Sequence, residues 1–256
     1  MYYDKETLRV YDEWLSSPVG RYIDQREKSL IERLLKPQTG ERLLDVGCGR
    51  GHHLAFFKEK GCDVTGIEPS RMLLAAAQER LGRRTELYPG TLDNLPFSDN
   101  EFDVVTMICS LDRNEFPRET LAEAMRVCRD RMFLGLPNQF SLCRGRGTAK
   151  NPTLSAQSNP TVFFNIMDIK YMIRSVAAHA PITWGSVIFF PLHWYSFAMK
   201  LDALLPVMKN PFGSFIGAAF PMVITHRTLQ DPLRETPQLN MVGSRQVTGA
   251  VREMKP

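Results

Sequence analysis

Three glycines and two carboxylates carry the chemistry open to this sequence. Gly47, Gly49 and Gly51 stand in the run Glu41-Arg-Leu-Leu-Asp-Val-Gly-Cys-Gly-Arg-Gly51, with Asp45 two places ahead of the first glycine. Glycine suits a turn where φ becomes positive and a ligand comes close to the backbone. A dinucleotide-binding turn spaces its glycines Gly-x-Gly-x-x-Gly, with a helix N-terminus facing a pyrophosphate. The spacing here is Gly-x-Gly-x-Gly. A carboxylate beside such a loop suits a ligand that carries an ammonium group and no phosphate. Glu68 follows the loop by about twenty residues, where an acid meets ribose hydroxyls in an open α/β sheet. Its charge explains the residue type, because a carboxylate can accept both hydroxyl protons.

The flanking sequence supplies elements to hold these groups. Leu43, Leu44 and Val46 read as a short buried strand, and Leu54 to Phe57 as the face of the helix after the turn. Cys62 to Glu68 forms a second strand, ending on its acid, and Glu86 to Tyr88 a short third one. Asp103 to Cys109 is apolar after its first residue except for Thr106, as in a strand buried on both faces. Arg131 to Asn138 follows as a fifth strand, then the β-prone runs Ile182 to Phe190 and Ser214 to Thr225. Helical stripes lie between them: Met72, Ala75 and Ala76; Leu121, Ala124, Met125 and Cys128; Ile166, Ile169, Ile173 and Val176, the last capped by Asn165 with Asp168 three places on. Strand and helix alternate, so the expected fold is α/β: a doubly wound, mostly parallel sheet of seven strands with the strand at 43–46 central.

The glycine loop resembles motif I of class I S-adenosylmethionine-dependent methyltransferases. The stretch Gly90-Thr-Leu-Asp-Asn-Leu-Pro-Phe97, followed by Phe102-Asp103, resembles the Gly-Asp-Ala-x-x-Leu-Pro-Phe…Phe-Asp signature of the type 11 methyltransferase family. The resemblance is close over roughly residues 41 to 138 and one of layout elsewhere. It implies S-adenosylmethionine as cofactor, held by Asp45, Gly47, Gly49, Gly51 and Glu68, with Pro69, Met72, Thr91, Leu92, Ile108 and Cys109 as further contacts. Met72 would lie against the adenine, and Leu92 would offer its amide to the ring. Thr91 stands where the family usually has Asp, so either Thr91 or a shifted Asp93 would meet the adenine amino group. The family's Lys-Pro-Gly-Gly turn before the fifth strand is replaced by Cys128-Arg-Asp-Arg131.

Size and composition bound the rest. With 256 residues the chain reads as one domain: a helical cap over 1–36, a cofactor half over 37–140, a substrate half over 141–225 and a polar tail over 226–256. A net charge of +4 does not by itself imply nucleic acid. The segment Ile108 to Leu111 lacks both the Asn-Pro-Pro-Tyr-like run of amine DNA methyltransferases and the Pro-Cys nucleophile of cytosine-carbon enzymes. The cysteines Cys48, Cys62, Cys109, Cys128 and Cys143 form no Cys-x-x-Cys pair, which fits reduced thiols in a cytoplasmic protein and no metal site. The apolar run Ser186 to Met199 is broken by Pro191 and His193, too short to span a bilayer, though peripheral membrane contact stays open. The basic, glycine-rich stretch at 144–150 reads as a solvated loop, with a grip on an anion or nucleic acid as the alternative.

Two segments keep alternative readings. Tyr11 and Trp14, in a turn-rich leader before a helix at 22–35, either pack that helix on the sheet or close a lid over the cofactor. The insertion at 193–212 carries Trp194, Phe197, Leu201 and Leu204, read as the wall of an acceptor pocket, a plain packing helix or a dimer contact. A pocket wall favours a small apolar or amphipathic acceptor. A general base is needed only for some acceptors. His52, His53 and His193 are candidates by type, with His193 best placed, and for each a structural or surface histidine is the plainer reading. An NAD(P)-dependent oxidoreductase and a non-catalytic S-adenosylmethionine-binding protein remain the alternative functions.

Overall fold

A computed structural model describes residues 5–141 and 163–222. The expectations for the basic loop at 144–150, for Cys143 and for the tail at 226–256 lie outside the described residues. Fourteen elements follow in chain order: α1 (Lys5–Ser16), α2 (Pro18–Leu35), β1 (Arg42–Val46), α3 (His52–Glu59), β2 (Asp63–Glu68), α4 (Arg71–Leu81), β3 (Glu86–Pro89), β4 (Phe102–Ile108), α5 (Pro117–Val127), β5 (Cys128–Pro137), α6 (Ile166–Val176), β6 (Thr183–Val187), α7 (Tyr195–Leu204) and β7 (Phe215–Pro221).

The seven strands form one sheet in the order β3-β2-β1-β4-β5-β7-β6. Pairing is parallel from β3 to β5, while β7 runs antiparallel to both β5 and β6. The expected fold class stands. β1 is interior, and the middle strand is its neighbour β4. The order reverses between β1 and β4, a switch point where open α/β sheets leave a crevice at the carboxyl ends of their strands.

Consecutive residues feed opposite faces of the sheet, as the pleat requires. Leu44 and Val105 enter the apolar layer under α5 and α6, whereas Leu43 and Val104 enter the layer under α2 and α3. All four are fully buried. The Asn165 cap forms as expected: its side chain accepts from the amides of Met167 and Asp168, and Asp168 accepts from the amide of Asn165.

Four expectations are corrected. The leader is the helix α1, separated from α2 only by Ser17, whose side chain caps α2 by accepting from the Gly20 amide. Pro18 at the first turn costs α2 nothing, because the amide it lacks would have no helical partner there. The core face of α4 is Leu73, Ala77 and Leu81, and Met72 is only half-buried. Cys128 to Arg131 is the start of β5 instead of a turn. Arg131 there donates to both carboxylate oxygens of Glu41 at 2.8 Å and to the carbonyls of Leu35 and Lys36, fastening the end of α2 to the sheet.

The fourth correction concerns the insertion. Trp194, Phe197, Leu201 and Leu204 are 44%, 68%, 57% and 81% exposed, so the large apolar residues of the insertion face outward and do not pack the helix. The inward side of α7 is Tyr195, Ala198 and Asp202. Asp202 is completely buried: it accepts from Tyr195 Oη at 2.6 Å, the Phe189 amide at 2.8 Å, Tyr22 Oη at 3.0 Å and Arg26 Nε at 3.1 Å. A buried acid with four donors, one charged, locks α7 to α2 by hydrogen bonding in place of apolar packing. Asp202→Ala removes the shared acceptor of Arg26 Nε, Tyr195 Oη and the Phe189 amide, while Tyr22 keeps the Met199 carbonyl, and is expected to lower stability by about 3 kcal/mol. Urea unfolding checks this; a loss below about 1 kcal/mol would show that the network is dispensable.

Candidate active site

The glycine loop joins the end of β1 to α3. Gly47, Gly49 and Gly51 have φ of +80°, +53° and +70°, the left-handed region that favours glycine. Two of the three are also tightly enclosed. A Cβ at Gly47 would lie 2.4 Å from Ser110 Cβ, and one at Gly51 would lie 2.8 Å from Leu81 Cδ1. Gly49 differs: nothing lies within 4 Å of where its Cβ would be. The loop is thus pressed against β4's exit on one side and α4 on the other, and opens at its middle glycine.

Glu68, 8% exposed at the end of β2, holds that arrangement in place. Its Oε2 accepts from the Gly49 amide and its Oε1 from the Ser70 amide, both at 3.0 Å. One carboxylate therefore ties the loop to the cap of α4, where Ser70 accepts from the Leu73 amide.

Asp45 is 2% exposed and accepts from Thr106 Oγ1 at 2.7 Å. Burial pushes its carboxyl up to about 7; the Thr106 hydrogen bond opposes the rise and the Glu68 charge adds to it. A cation arriving beside the loop would reverse that shift.

β4 delivers Ile108 (buried), Cys109 (half-buried) and Ser110 (buried) to the other wall. Cys109 has φ +51°, a costly conformation for a residue with a Cβ. Its amide donates to Gly135 O at 2.8 Å, which fixes the bend against β5. Ser110 Oγ is buried and has no hydrogen-bond partner among the described residues. It faces the loop, 3.1 Å from the Cβ position at Gly47. An orphaned buried hydroxyl in such a crevice marks a place where a polar ligand atom can be received.

Thr91 and Asp93 are exposed, with Leu92 buried between them, and Pro69 is exposed at the β2 exit. The segment after Leu92 is fastened by Arg126 on α5. Its guanidinium donates to Leu95 O at 3.1 Å and Phe97 O at 2.9 Å, while Glu123 accepts from the Leu95 amide at 3.0 Å. No motif signals Arg126, since its role is set by a contact across the fold.

The helical cap supplies a further group of side chains. Arg50, between two loop glycines, pairs with Asp12 of α1, and its guanidinium lies over the Tyr11 ring. Tyr11 stacks on Trp14 at 6.0 Å, and Trp14 packs on the core beneath α2. The Tyr11 phenol lies within electrostatic reach of Glu27, Cys109 and Asp24; burial and those groups raise its pKa. Of the two readings of the leader, the packing one fits Trp14; the Tyr11 phenol lies within electrostatic reach of Cys109 at the end of β4.

The three histidines separate. His52 Nε2 contacts Asp24 Oδ1 at 2.5 Å, and its Nδ1 contacts Arg80 at 3.2 Å, so it braces α2 against α3 and α4. His53 Nε2 is buried with no partner among the described residues, and burial lowers its pKa to about 3, keeping the ring neutral. His193 is exposed, edge-on to Trp194. Among the described residues no cluster of three or more His, Cys, Asp or Glu could hold a metal ion.

This geometry has known counterparts. Residues 44–134 match a family described as "Methyltransferase domain". A demethylmenaquinone methyltransferase of Clavibacter sepedonicus is 32% identical over 108 residues, 41% of this chain and 44% of that protein. A malonyl-[acyl-carrier protein] O-methyltransferase of Pectobacterium atrosepticum is 29% identical over 96 residues, 38% of each chain. The match therefore spans less than half the length of these curated relatives. Among solved structures, an S-adenosylmethionine-dependent methyltransferase of Thermotoga maritima superposes with a TM-score of 0.66 at 22% identity, covering 85% of this chain and 97% of that one. At that identity the likeness is one of fold.

Gly47→Val is expected to fail by a different route from a ligand clash. The new side chain would collide with Ser110 of the same chain and sit at an unfavourable φ. The expected loss is about 2–4 kcal/mol, combining backbone strain with overpacking. A thermal melt without ligand checks this: an unchanged midpoint would show that the loop yields freely. The glycine loop and the acid-tipped second strand both fall within residues 44–134, the stretch that matches the methyltransferase-domain family.

Proposed function

We propose that this protein is an S-adenosylmethionine-dependent methyltransferase acting on a small apolar or amphipathic acceptor. The observation that carries the reading is the Glu68 carboxylate, held by the amides of Gly49 and Ser70 beside the one loop glycine that opens on free space. The donor set suits this cofactor. Glu68 would receive the ribose hydroxyls, Asp45 offers its charge to the ammonium group, and Ser110 Oγ is a free polar partner among the described residues. Leu92, Thr91, Pro69 and Met72 would flank the adenine, with Ile108 and Cys109 beside the reacting end. A dinucleotide would need a third glycine one place later, which the chain lacks.

The bound cofactor supplies a methyl group on a positively charged sulfur, already an excellent leaving group. What remains for the protein is alignment of the acceptor and exclusion of water. Tyr11 and Trp14, held over the loop by the Arg50–Asp12 pair, are placed to limit solvent on the cap side. None of the three histidines is assigned as a base. The relatives' names give a demethylmenaquinone and a malonyl-[acyl-carrier protein] as acceptors, so the family accommodates different chemistries and the acceptor here is proposed only by class.

Glu68→Ala removes a charged acceptor from the ribose site and frees the Gly49 amide. At about 1.5–3 kcal/mol per hydrogen bond to a charged group, S-adenosylhomocysteine affinity should fall at least tenfold. Calorimetric titration with S-adenosylhomocysteine and, separately, NAD checks both the residue and the cofactor class; tighter binding of NAD would refute the proposal.

The pH dependence of binding follows from Asp45. Its pKa near 7 leaves it partly protonated at neutrality, and an ammonium ligand favours the ionised form. Affinity for S-adenosylhomocysteine should therefore rise from pH 6 to pH 8. Asp45→Asn should flatten that profile. A wild-type profile already flat over the same window would remove Asp45 from the ammonium site.

A further inference from the structure

The outward side of α7 is apolar without a partner among the described residues. Trp194, Phe197, Leu201 and Leu204 recur at intervals of three and four, one stripe along the helix. Phe212, 50% exposed, lies beyond the helix, and the Trp194 and Phe197 rings sit 6.2 Å apart in the stripe. Lys200, exposed, is three residues after Phe197 and four before Leu204, hence beside both. Lys209 and His193 are exposed at the two ends of the segment.

The charge along this segment of the chain has one sign. Between Asp168 and Asp231 the sequence contains a single acidic residue, Asp202. That residue is fully buried under Tyr22, Arg26 and Tyr195. Every exposed ionisable side chain of α7 and its flanks at 189–213 is therefore a base. A second copy docking on this face by twofold symmetry would bring Lys200 toward its own equivalent, a like-charge contact that costs affinity. An anionic lipid surface complements both properties. Aromatic and aliphatic side chains enter the interface, and lysines beside them meet the headgroups.

We propose that α7 docks this protein on anionic bilayers, lying in the plane of the surface with Trp194, Phe197, Leu201 and Leu204 inserted. The docked helix begins just after β6. There Ile188, Phe190 and Tyr195 share one apolar cluster with Ile108 and Cys109. The bilayer face thus adjoins the carboxyl edge of the sheet, where an amphipathic acceptor would enter. That last link rests on the methyl-transfer reading, whereas the docking does not.

Sedimentation of the full chain with sucrose-loaded vesicles tests the docking. Vesicles of phosphatidylcholine mixed with phosphatidylglycerol should carry the protein down, with binding that weakens as salt rises, and pure phosphatidylcholine should bind it at least tenfold less. The combined variant Phe197→Ser, Leu201→Ser, Leu204→Ser should lose at least tenfold on the anionic vesicles. Its S-adenosylhomocysteine affinity and melting midpoint should match the wild type, which separates lost docking from lost folding or a lost cofactor site. Lys200→Glu with Lys209→Glu should lose binding to anionic vesicles and leave the weak binding to neutral ones unchanged. Brominated acyl chains should quench the fluorescence that Trp194→Phe removes. Absence of binding to anionic vesicles, or unchanged binding by the triple serine variant, overturns the proposal. So does a concentration-dependent dimer that the serine variant dissolves, which would assign the face to a second copy.

Discussion

A buried carboxylate needs partners, and the way Glu68 finds them shapes the candidate site. Removing an ionised group from water without replacement costs several kcal/mol, so an acid with 8% exposure must be met by donors. Two backbone amides meet it, one from the glycine loop and one from the cap of α4. The loop can offer Gly49 N–H only because its glycines adopt positive φ, and α4 can begin where it does only because Ser70 is held at the β2 exit. Strand end, loop and helix start are thus fixed by one side chain. The same bonds hold the carboxylate at the carboxyl end of β2, beside the glycine loop.

The central half of the fold was legible in the sequence because its signals are local. Apolar runs ending at Val46, Glu68 and Ile108 mark strands buried on both faces, and glycine spacing marks the turn. What was not legible depends on contacts distant in sequence. The Ser16-Ser17-Pro18 break hid the fact that α1 and α2 are both helical, because a cap and a proline at the first turn signal a helix start as readily as a loop. In α4 the alanines at 75 and 76 suggested the wrong face; Leu73, Ala77 and Leu81 define the buried one by a spacing of four. The insertion inverted the usual rule, since its helix buries an aspartate and exposes leucines. Only the approach of Tyr22 and Arg26, about 180 residues earlier in the chain, makes that arrangement favourable. Arg126 is illegible for the same reason: it lies in no pattern and is defined by what it faces.

Asp45 and Glu68 show how environment separates two acids in one site. Asp45 meets a single neutral hydroxyl, so burial dominates and its carboxyl is pushed up to about 7. Glu68 meets two backbone amides aimed at it. The negative charge of Glu68 adds to the rise at Asp45. For Asp45 the sign of the linkage is clear: with a folded pKa above the ordinary carboxylate range, its contribution to stability is complete at acid pH and is lost as the pH climbs through about 7. A cation beside Asp45 favours its ionised form and so opposes that rise.

Backbone strain is distributed in the same sense. Outside glycine, positive φ occurs among the described residues at Lys36, Asn100, Cys109, Ile188 and Lys209. Asn adopts that region readily, and Lys36 closes α2 with its amide bonded to Glu32 O. Ile188 is different, because a β-branched residue at φ +69° is a true outlier. It and Cys109 both stand immediately past the carboxyl ends of strands, β6 and β4. Each is clamped by a backbone bond of 2.8 Å, from Cys109 N to Gly135 O and from Ser214 N to Ile188 O. Strain of about 1–3 kcal/mol at each persists only where surrounding structure over-determines it. Here the surroundings are the buried strands β5 and β7, and both bends turn the chain at the edge where the crevice opens. The sheet thus spends stability from its core on the shape of its rim, a trade that a purely structural strand end has no reason to make.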